Sequence, residues 1–135
     1  MAQSSKGFSL IEVLVALTIF SVGVLGMLGM YGRTMSNYSD AKYRTDASML
    51  ADGLISDIWI NRNNASLYAY SGTGANTTLQ YWLNAVKAAL PNGNAVVTVA
   101  GASATGTTVQ ITLTWTPPDT TTAHQHVETA IIRNP

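Results

Sequence analysis

The stretch KGFSLIEVLVALTIFSVGVLGMLGMY, Lys6 to Tyr31, decides how this chain is organised. From Phe8 to Tyr31 there are 24 residues with Glu12 as the only charge, so a helix over this run would be about 36 Å long. A hydrocarbon core is roughly 30 Å thick, and the run is therefore long enough to span a membrane. The alternative is a buried core helix, but a chain of 135 residues has no interior that could surround such a helix. We predict a membrane-spanning helix.

The start of the chain, MAQSSKG, also looks like the charged beginning of a secretory signal peptide. Such peptides have an apolar region of about 7–15 residues followed by a small-x-small cleavage site. Here the apolar run is longer, and no Ala-x-Ala follows it. Since the Gly7–Phe8 junction precedes the run, cleavage there would leave the helix attached. We expect a retained anchor, with Lys6 on the cytoplasmic side and everything from Arg33 onward across the membrane.

The composition excludes several classes of function. Seven basic and seven acidic residues cancel, and after Arg62 only Lys87 and Arg133 are basic, so no contact with nucleic acid is predicted. The absence of cysteine excludes disulfides, thiol catalysis and Cys-ligated zinc. His124 and His126 would share one face of a strand, as zinc ligands sometimes do, but only Glu128 is near to complete such a site. We predict no enzyme, no metal and no cofactor.

The helical pattern continues beyond Tyr31 without a proline and becomes amphipathic. We predict one continuous helix from about Ser9 to Asn61, whose second half packs on a globular body. The apolar positions of this second half recur at three- and four-residue steps, at Met35, Tyr38, Ala47, Leu50, Ala51, Leu54, Ile55 and Ile58.

A loop over Asn63–Thr78, rich in Asn, Ser, Thr and Gly, should follow this helix. A short amphipathic helix comes next, with Thr77 or Thr78 as N-cap and Pro91 ending it. Its apolar residues are Leu79, Trp82, Leu83, Val86, Ala89 and Leu90. Five aromatic residues could form a sticky surface, although we favour core or loop packing for them: Trp59, Tyr68, Tyr70, Tyr81 and Trp82.

Three strand candidates follow the turn at Pro91–Asn94, namely Val96–Val99, Val109–Thr116 and His126–Ile132. The second alternates apolar and polar residues at every step. A sheet with one apolar face needs a partner, and the amphipathic half of the long helix can supply it. The predicted class is α+β, with the long helix packed on an antiparallel sheet of about three to four strands and one short extra helix.

The segment from Gly7 to Leu17, GFSLIEVLVAL, resembles the N-terminus of type IV pilins and of the pseudopilins of type II secretion. The junction glycine, the aromatic residue after it, the glutamate four residues on and the apolar helix are all in register. The resemblance implies a pilin-like fold, cleavage after Gly7 by prepilin peptidase and N-methylation of Phe8. It also implies that the mature chain waits in the inner membrane until it enters a filament.

Within that superfamily, Ser21–Gly29 followed by Ala51-Asp52 and Asn61-Arg62 is most similar to the PilV-type minor pilins. The organisation implied is a leader over 1–7, a membrane or filament-core helix over 8–31, and a periplasmic globular domain over 32–135. The implied partners are major and minor pilins, the prepilin peptidase and methyltransferase, an inner-membrane assembly platform, and lipid before assembly. The chain would reach the pilus and cell surface after assembly.

Glu12 is the first residue to explain, because an ionised carboxylate in hydrocarbon costs at least about 2.5–3.5 kcal/mol. Its partner must be a cation, and the amino terminus created at Phe8 would lie about 6 Å away along the helix axis. In a filament, the amine of an adjacent subunit could meet Glu12 away from water. The alternative is a carboxylate near the membrane boundary that reaches the headgroups.

Four glycines at three-residue spacing, Gly23, Gly26, Gly29 and Gly32, are the second unusual feature. Each costs up to about 1 kcal/mol relative to alanine in a helix, and small residues let helices approach closely in membranes. We expect this stretch to loosen or to pack tightly when the helix leaves lipid; ordinary tolerance of glycine in membrane helices is the alternative. Major pilins often have a proline near the position of Gly29, which this chain lacks.

Three functions follow as hypotheses. The first is a minor pilin that acts in pilus assembly or initiation, and so in twitching motility, adhesion or DNA uptake. The second is a minor pseudopilin of a type II secretion system. The third is a ligand-binding module anchored in the membrane.

Overall fold

The computed structural model describes residues 9–103, 106–118 and 120–133. The predicted pilin-like α+β class is confirmed: a long N-terminal helix, a short extra helix and a three-stranded antiparallel sheet. Gly7 and Phe8 lie outside the described residues. The elements are helix α1 (Leu10–Ile60), a 3₁₀ helix (Arg62–Tyr68), helix α2 (Gln80–Ala89), and strands β1 (Asn94–Ser103), β2 (Gly106–Trp115) and β3 (His124–Ile132).

The chain divides into two compact units, one up to Tyr38 and one from Ser39 onward. In the first unit, every described residue from Ser9 to Met35 is exposed. Helix α1 is long and apolar enough, by length and composition, to cross a membrane, and none of its apolar window is buried within the chain. The first half of α1 is therefore not a core helix of this protein. The predicted division into 1–7, 8–31 and 32–135 stays a prediction.

The second unit has its core on one face of the second half of α1. Ala47, Ala51, Leu54 and Ile58 recur at steps of three and four residues and are at most 1% exposed. The expectation that Met35 and Tyr38 share this face is wrong, since they are 51% and 69% exposed. The reason is that both belong to the first unit, where no described residue is buried.

The predicted loop over Asn63–Thr78 is wrong at its beginning, where the 3₁₀ helix Arg62–Tyr68 lies instead. Ala65 and Tyr68 are both buried and stand three residues apart, which is one turn of such a helix. The Asn61 side-chain amide donates a hydrogen bond to the Tyr68 hydroxyl at 3.0 Å. Burial of a tyrosine from a polar segment thus creates an element that composition alone does not indicate.

Helix α2 begins differently from the prediction, which placed Thr77 or Thr78 at its N-cap. The N-cap is Leu79, which has no side-chain cap, and the Asn76 side-chain oxygen accepts a hydrogen bond from the Leu79 amide at 3.1 Å. The helix ends before Pro91, as predicted. The indole N–H of Trp82 on α2 donates a hydrogen bond to the Leu50 carbonyl of α1 at 2.9 Å, and this bond connects the two helices. The buried residues of this region are Leu79, Leu83, Val86 and Leu90.

The sheet has the order β1-β2-β3, with both pairs antiparallel. The alternation predicted for β2 is confirmed, since Val109, Ile111, Leu113 and Trp115 are all at most 1% exposed. Strands β1 and β3 begin two residues earlier than predicted, and β1 also runs on to Ser103. In this extension Gly101, with φ +55°, is the extra residue of a bulge, and such alanine and glycine positions carry little period-two signal.

Candidate functional site

Glu12 lies in the first turn of α1, on an otherwise apolar helix face. The Glu12 amide donates to the Ser9 carbonyl at 2.9 Å, so the helix is already formed at this residue. A shallow groove along the helix is lined by Glu12 together with Val13, Ala16, Leu17 and Phe20. A carboxylate at a helix N-terminus is favoured by the helix dipole, but this contributes only about 0.3–1 kcal/mol. The dipole alone therefore does not offset transfer of the charge into hydrocarbon.

Glu12 has no ion-pair partner among residues 9–103, 106–118 and 120–133, where the ion pairs are Lys42–Asp46 and His126–Glu128. The sequence has no lysine or arginine between Phe8 and Gly32. A cation for Glu12 would come from the residues before Ser9, where Lys6 and the amino terminus lie in the sequence, or from another molecule. The predicted role of Glu12, and those of Gly7 and Phe8, stay predictions.

Hydroxyl groups within the apolar half of α1 are satisfied by the helix itself, a feature that the sequence analysis missed. Thr18 donates to the carbonyls of Leu14 and Val15 at 2.9 and 2.8 Å, and Ser21 donates to that of Leu17 at 2.7 Å. Such bonds to the preceding turn hide the donors from an apolar surrounding. The signal that could have found them is a serine or threonine in an apolar run. Glu12 is thus the one charged side chain in the described apolar half of α1, and its counter-charge must come from outside this half of the helix.

The four glycines Gly23, Gly26, Gly29 and Gly32 occupy open helix surface. A Cβ atom built at each of them meets no heavy atom within 4 Å outside the local helix backbone. No described residue of this chain requires glycine at these positions. If glycine is needed there, the need arises from contacts with other molecules or from helix flexibility, and the predicted role stays a prediction.

The remaining candidates divide between core and surface. Tyr68 is buried and Tyr70 packs against the core, whereas Tyr81 is 90% and Trp59 40% exposed, so core packing is wrong for Tyr81. The apolar surface of α1 also includes Met35 and Tyr38. Within the described residues, no group of three or more potential ligands is placed to hold a metal ion.

Comparison with known families finds a match over the start of the chain. The model described as "Prokaryotic N-terminal methylation motif" matches residues 3–28, which include the Gly7–Phe8 junction and Glu12. Comparisons with curated proteins and with solved structures give no significant match. The motif implies processing by prepilin peptidase and assembly with other pilins, and with the apolar helix it suggests a membrane anchor. Together the motif and the α+β architecture support placing this chain in the type IV pilin and pseudopilin superfamily, as a structural subunit.

Proposed function

We propose that the chain is a minor pilin of a type IV pilus, which acts in pilus assembly or initiation and so in twitching motility, adhesion or DNA uptake. The observation that carries the proposal is the apolar half of α1, which no described residue of the chain buries. An apolar surface of this length must be covered by lipid or by other helices. A pilin satisfies both requirements in turn, with lipid before assembly and neighbouring subunits afterwards.

The proposal includes processing and topology. The chain first inserts into the inner membrane with Lys6 in the cytoplasm. Prepilin peptidase then cleaves between Gly7 and Phe8 and methylates the new amino terminus. The second compact unit, from Ser39 onward, then lies in the periplasm. The mature chain then enters the filament through an assembly platform and lies beside major and minor pilins. Support comes from the methylation motif and from the single candidate span in the described chain.

Glu12 is the proposed assembly contact. Its side chain is exposed on an apolar face with no cation nearby among the described residues, so ionisation in lipid is unfavourable there. The amine of Phe8 from an adjacent subunit would supply the missing charge. Because the pair forms away from water, its attraction is stronger than that of a surface ion pair, and it sets the register between subunits.

Intact mass and N-terminal analysis of the membrane-extracted protein test the processing step. The expected product begins with methylated Phe8. Gly7→Leu should leave the full-length precursor, since the peptidase must accommodate a small residue at the junction. A wild-type protein that still begins at Met1 would contradict the proposal, as would normal cleavage of Gly7→Leu.

Filament incorporation tests the role of Glu12. Glu12→Ala should insert into the membrane normally but be depleted from sheared pili, as measured by immunoblotting of pilus and membrane fractions. The matched control is Asp57→Ala, which removes an exposed carboxylate from the second half of the same helix. Equal incorporation of both variants would contradict the assembly contact.

A minor pseudopilin of a type II secretion system is the second candidate, because the methylation motif is shared by both classes. Deletion of the gene distinguishes them. Loss of surface pili with intact secretion favours the minor pilin, whereas a secretion defect with normal pili favours the pseudopilin.

A further inference from the structure

The turn between α2 and β1 contains the one Asn-Gly pair of the sequence, Asn92-Gly93. Asn92 has a φ of +52°, the only positive φ of a described residue other than glycine. Asparagine and aspartate adopt this left-handed conformation far more readily than most residues with a side chain. The backbone of the turn therefore favours asparagine at position 92.

Gly93 is required by close packing against the end of α2. A Cβ atom at this position would lie 2.9 Å from the carbonyl oxygens of both Val86 and Leu90, which is closer than a Cβ atom approaches backbone atoms in real structures. Any other residue would displace the turn from the helix. The packing of α2 therefore keeps a glycine directly after Asn92, and with it a backbone nitrogen that no side chain shields.

Two hydrogen bonds hold this turn closed. The Gly93 amide donates to the Leu90 carbonyl at 3.0 Å, and the Thr116 amide, directly after β2, donates to the Pro91 carbonyl at 3.0 Å. The amide of Gly93 is thus engaged with a carbonyl, which opposes loss of its proton. Asn92 itself is exposed to water. The turn therefore presents an accessible side-chain amide beside a backbone nitrogen that is restrained while the turn is closed.

We propose that Asn92 is a site of spontaneous deamidation whose rate is set by opening of this turn. The Gly93 nitrogen loses its proton and forms a bond to Asn92 Cγ, while the bond from Cγ to the side-chain nitrogen breaks. The side-chain nitrogen takes up a proton and leaves as ammonia, and a five-membered succinimide ring remains. Water then opens the ring at one of its two carbonyl carbons, so no oxidant or reductant is needed.

The two products differ in how they fit the turn. Attack of water at Cγ gives aspartate with the original backbone, and aspartate suits the positive φ of position 92. Attack at the backbone carbonyl carbon gives isoaspartate, in which the main chain runs through Cγ and is longer by one atom. This extra atom displaces Gly93, which has no room to move toward α2 and is bonded to Leu90. The reaction does not depend on the proposed pilin function.

The test compares the full chain in detergent micelles with the full chain unfolded in guanidinium chloride, both at mildly alkaline pH. Trypsin cuts after Lys87 and Arg133, and mass spectrometry of the peptide between these cuts locates each exchange of an amide NH₂ for OH. Asn92 should convert faster than Asn94 when the chain is unfolded, since alanine follows Asn94. In the folded chain Asn92 should convert at least about tenfold more slowly, because both hydrogen bonds of the turn must open first.

Two variants at position 92 serve as controls. Asn92→Gly adopts a positive φ without a side-chain amide, and it should abolish the product at this position while conversion of Asn94 stays unchanged. Asn92→Asp reproduces the aspartate product and should fold with the near-ultraviolet circular dichroism of the wild type. Conversion of Asn94 as fast as that of Asn92 in the unfolded chain would overturn the proposal. Equal rates for Asn92 in the folded and unfolded chain would overturn it as well, as would an Asn92→Asp chain that does not fold.

Discussion

Replacing Gly23, Gly26, Gly29 and Gly32 together by alanine should stiffen α1 at no steric cost among the described residues. A Cβ atom at each position meets nothing within 4 Å. Each glycine-to-alanine change in an exposed helix contributes about 0.8–1 kcal/mol, so the four contribute about 3–4 kcal/mol. Since about 1.4 kcal/mol is a factor of ten, opening of this segment should become roughly 100 to 1,000 times rarer.

Amide hydrogen exchange by mass spectrometry, on the full chain in detergent micelles, measures this opening. The control is Gly53→Ala, because Gly53 is also exposed on α1 and a Cβ atom there meets nothing within 4 Å. The control should slow exchange around residue 53 and leave residues 23–32 unchanged. Unchanged or faster exchange over residues 23–32 in the fourfold variant would refute the reasoning, since it would mean that glycine does not weaken the helix there.

The same variants separate helix stability from assembly. If the glycines serve close packing or loosening in a filament, the fourfold variant should enter sheared pili less than Gly53→Ala does, although its helix is more stable. Equal incorporation of the two variants would leave the four glycines without a role in assembly.

Two further changes test the second unit, both by thermal unfolding of the full chain. Leu54→Ala truncates a side chain that is 1% exposed and should lower the free energy of unfolding by about 2–5 kcal/mol. The control Met49→Ala, at a 67% exposed position on the same helix, should change this free energy by less than about 0.5 kcal/mol. Similar losses for the two variants would contradict the assigned core. Asn76→Ala removes three hydrogen bonds, to the Leu67 and Ala69 carbonyls and from the Leu79 amide, and should cost about 1.5–4 kcal/mol, while Asn76→Asp keeps the acceptor and should cost less. Equal losses would show that the bond from the Leu79 amide does not stabilise the fold.

The features that the sequence predicts here are those in which apolar residues recur with a regular period. The apolar run and its amphipathic continuation place α1 within one residue at each end, between Leu10 and Ile60. The alternation around Ile111 predicts which side of β2 is buried, and Pro91 predicts the end of α2. In each of these the deciding interactions are local, because a helix or strand buries one face by its own period.

The features that were missed depend on particular side-chain contacts rather than on a periodic pattern. The N-cap of α2 is Leu79 rather than Thr77 or Thr78, and Asn76 holds the Leu79 amide while its own amide group donates to two carbonyls of the preceding segment. The 3₁₀ helix forms where Tyr68 becomes buried, which no local pattern indicates. For the candidate site, the sequence identifies Glu12 as the isolated charge, but its proposed partner amine belongs to another subunit and lies beyond any single chain.

The exposure of every described residue from Ser9 to Met35 has a consequence for the evolution of the protein. Selection for folding of the globular unit does not act directly on the side chains of this segment, because none of them is buried in its core. The substitutions it tolerates are then set by its surroundings, which under the proposed function are first lipid and then neighbouring subunits. The two halves of α1 should therefore diverge under separate constraints, with the first half co-varying with other proteins and the second half with its own sheet.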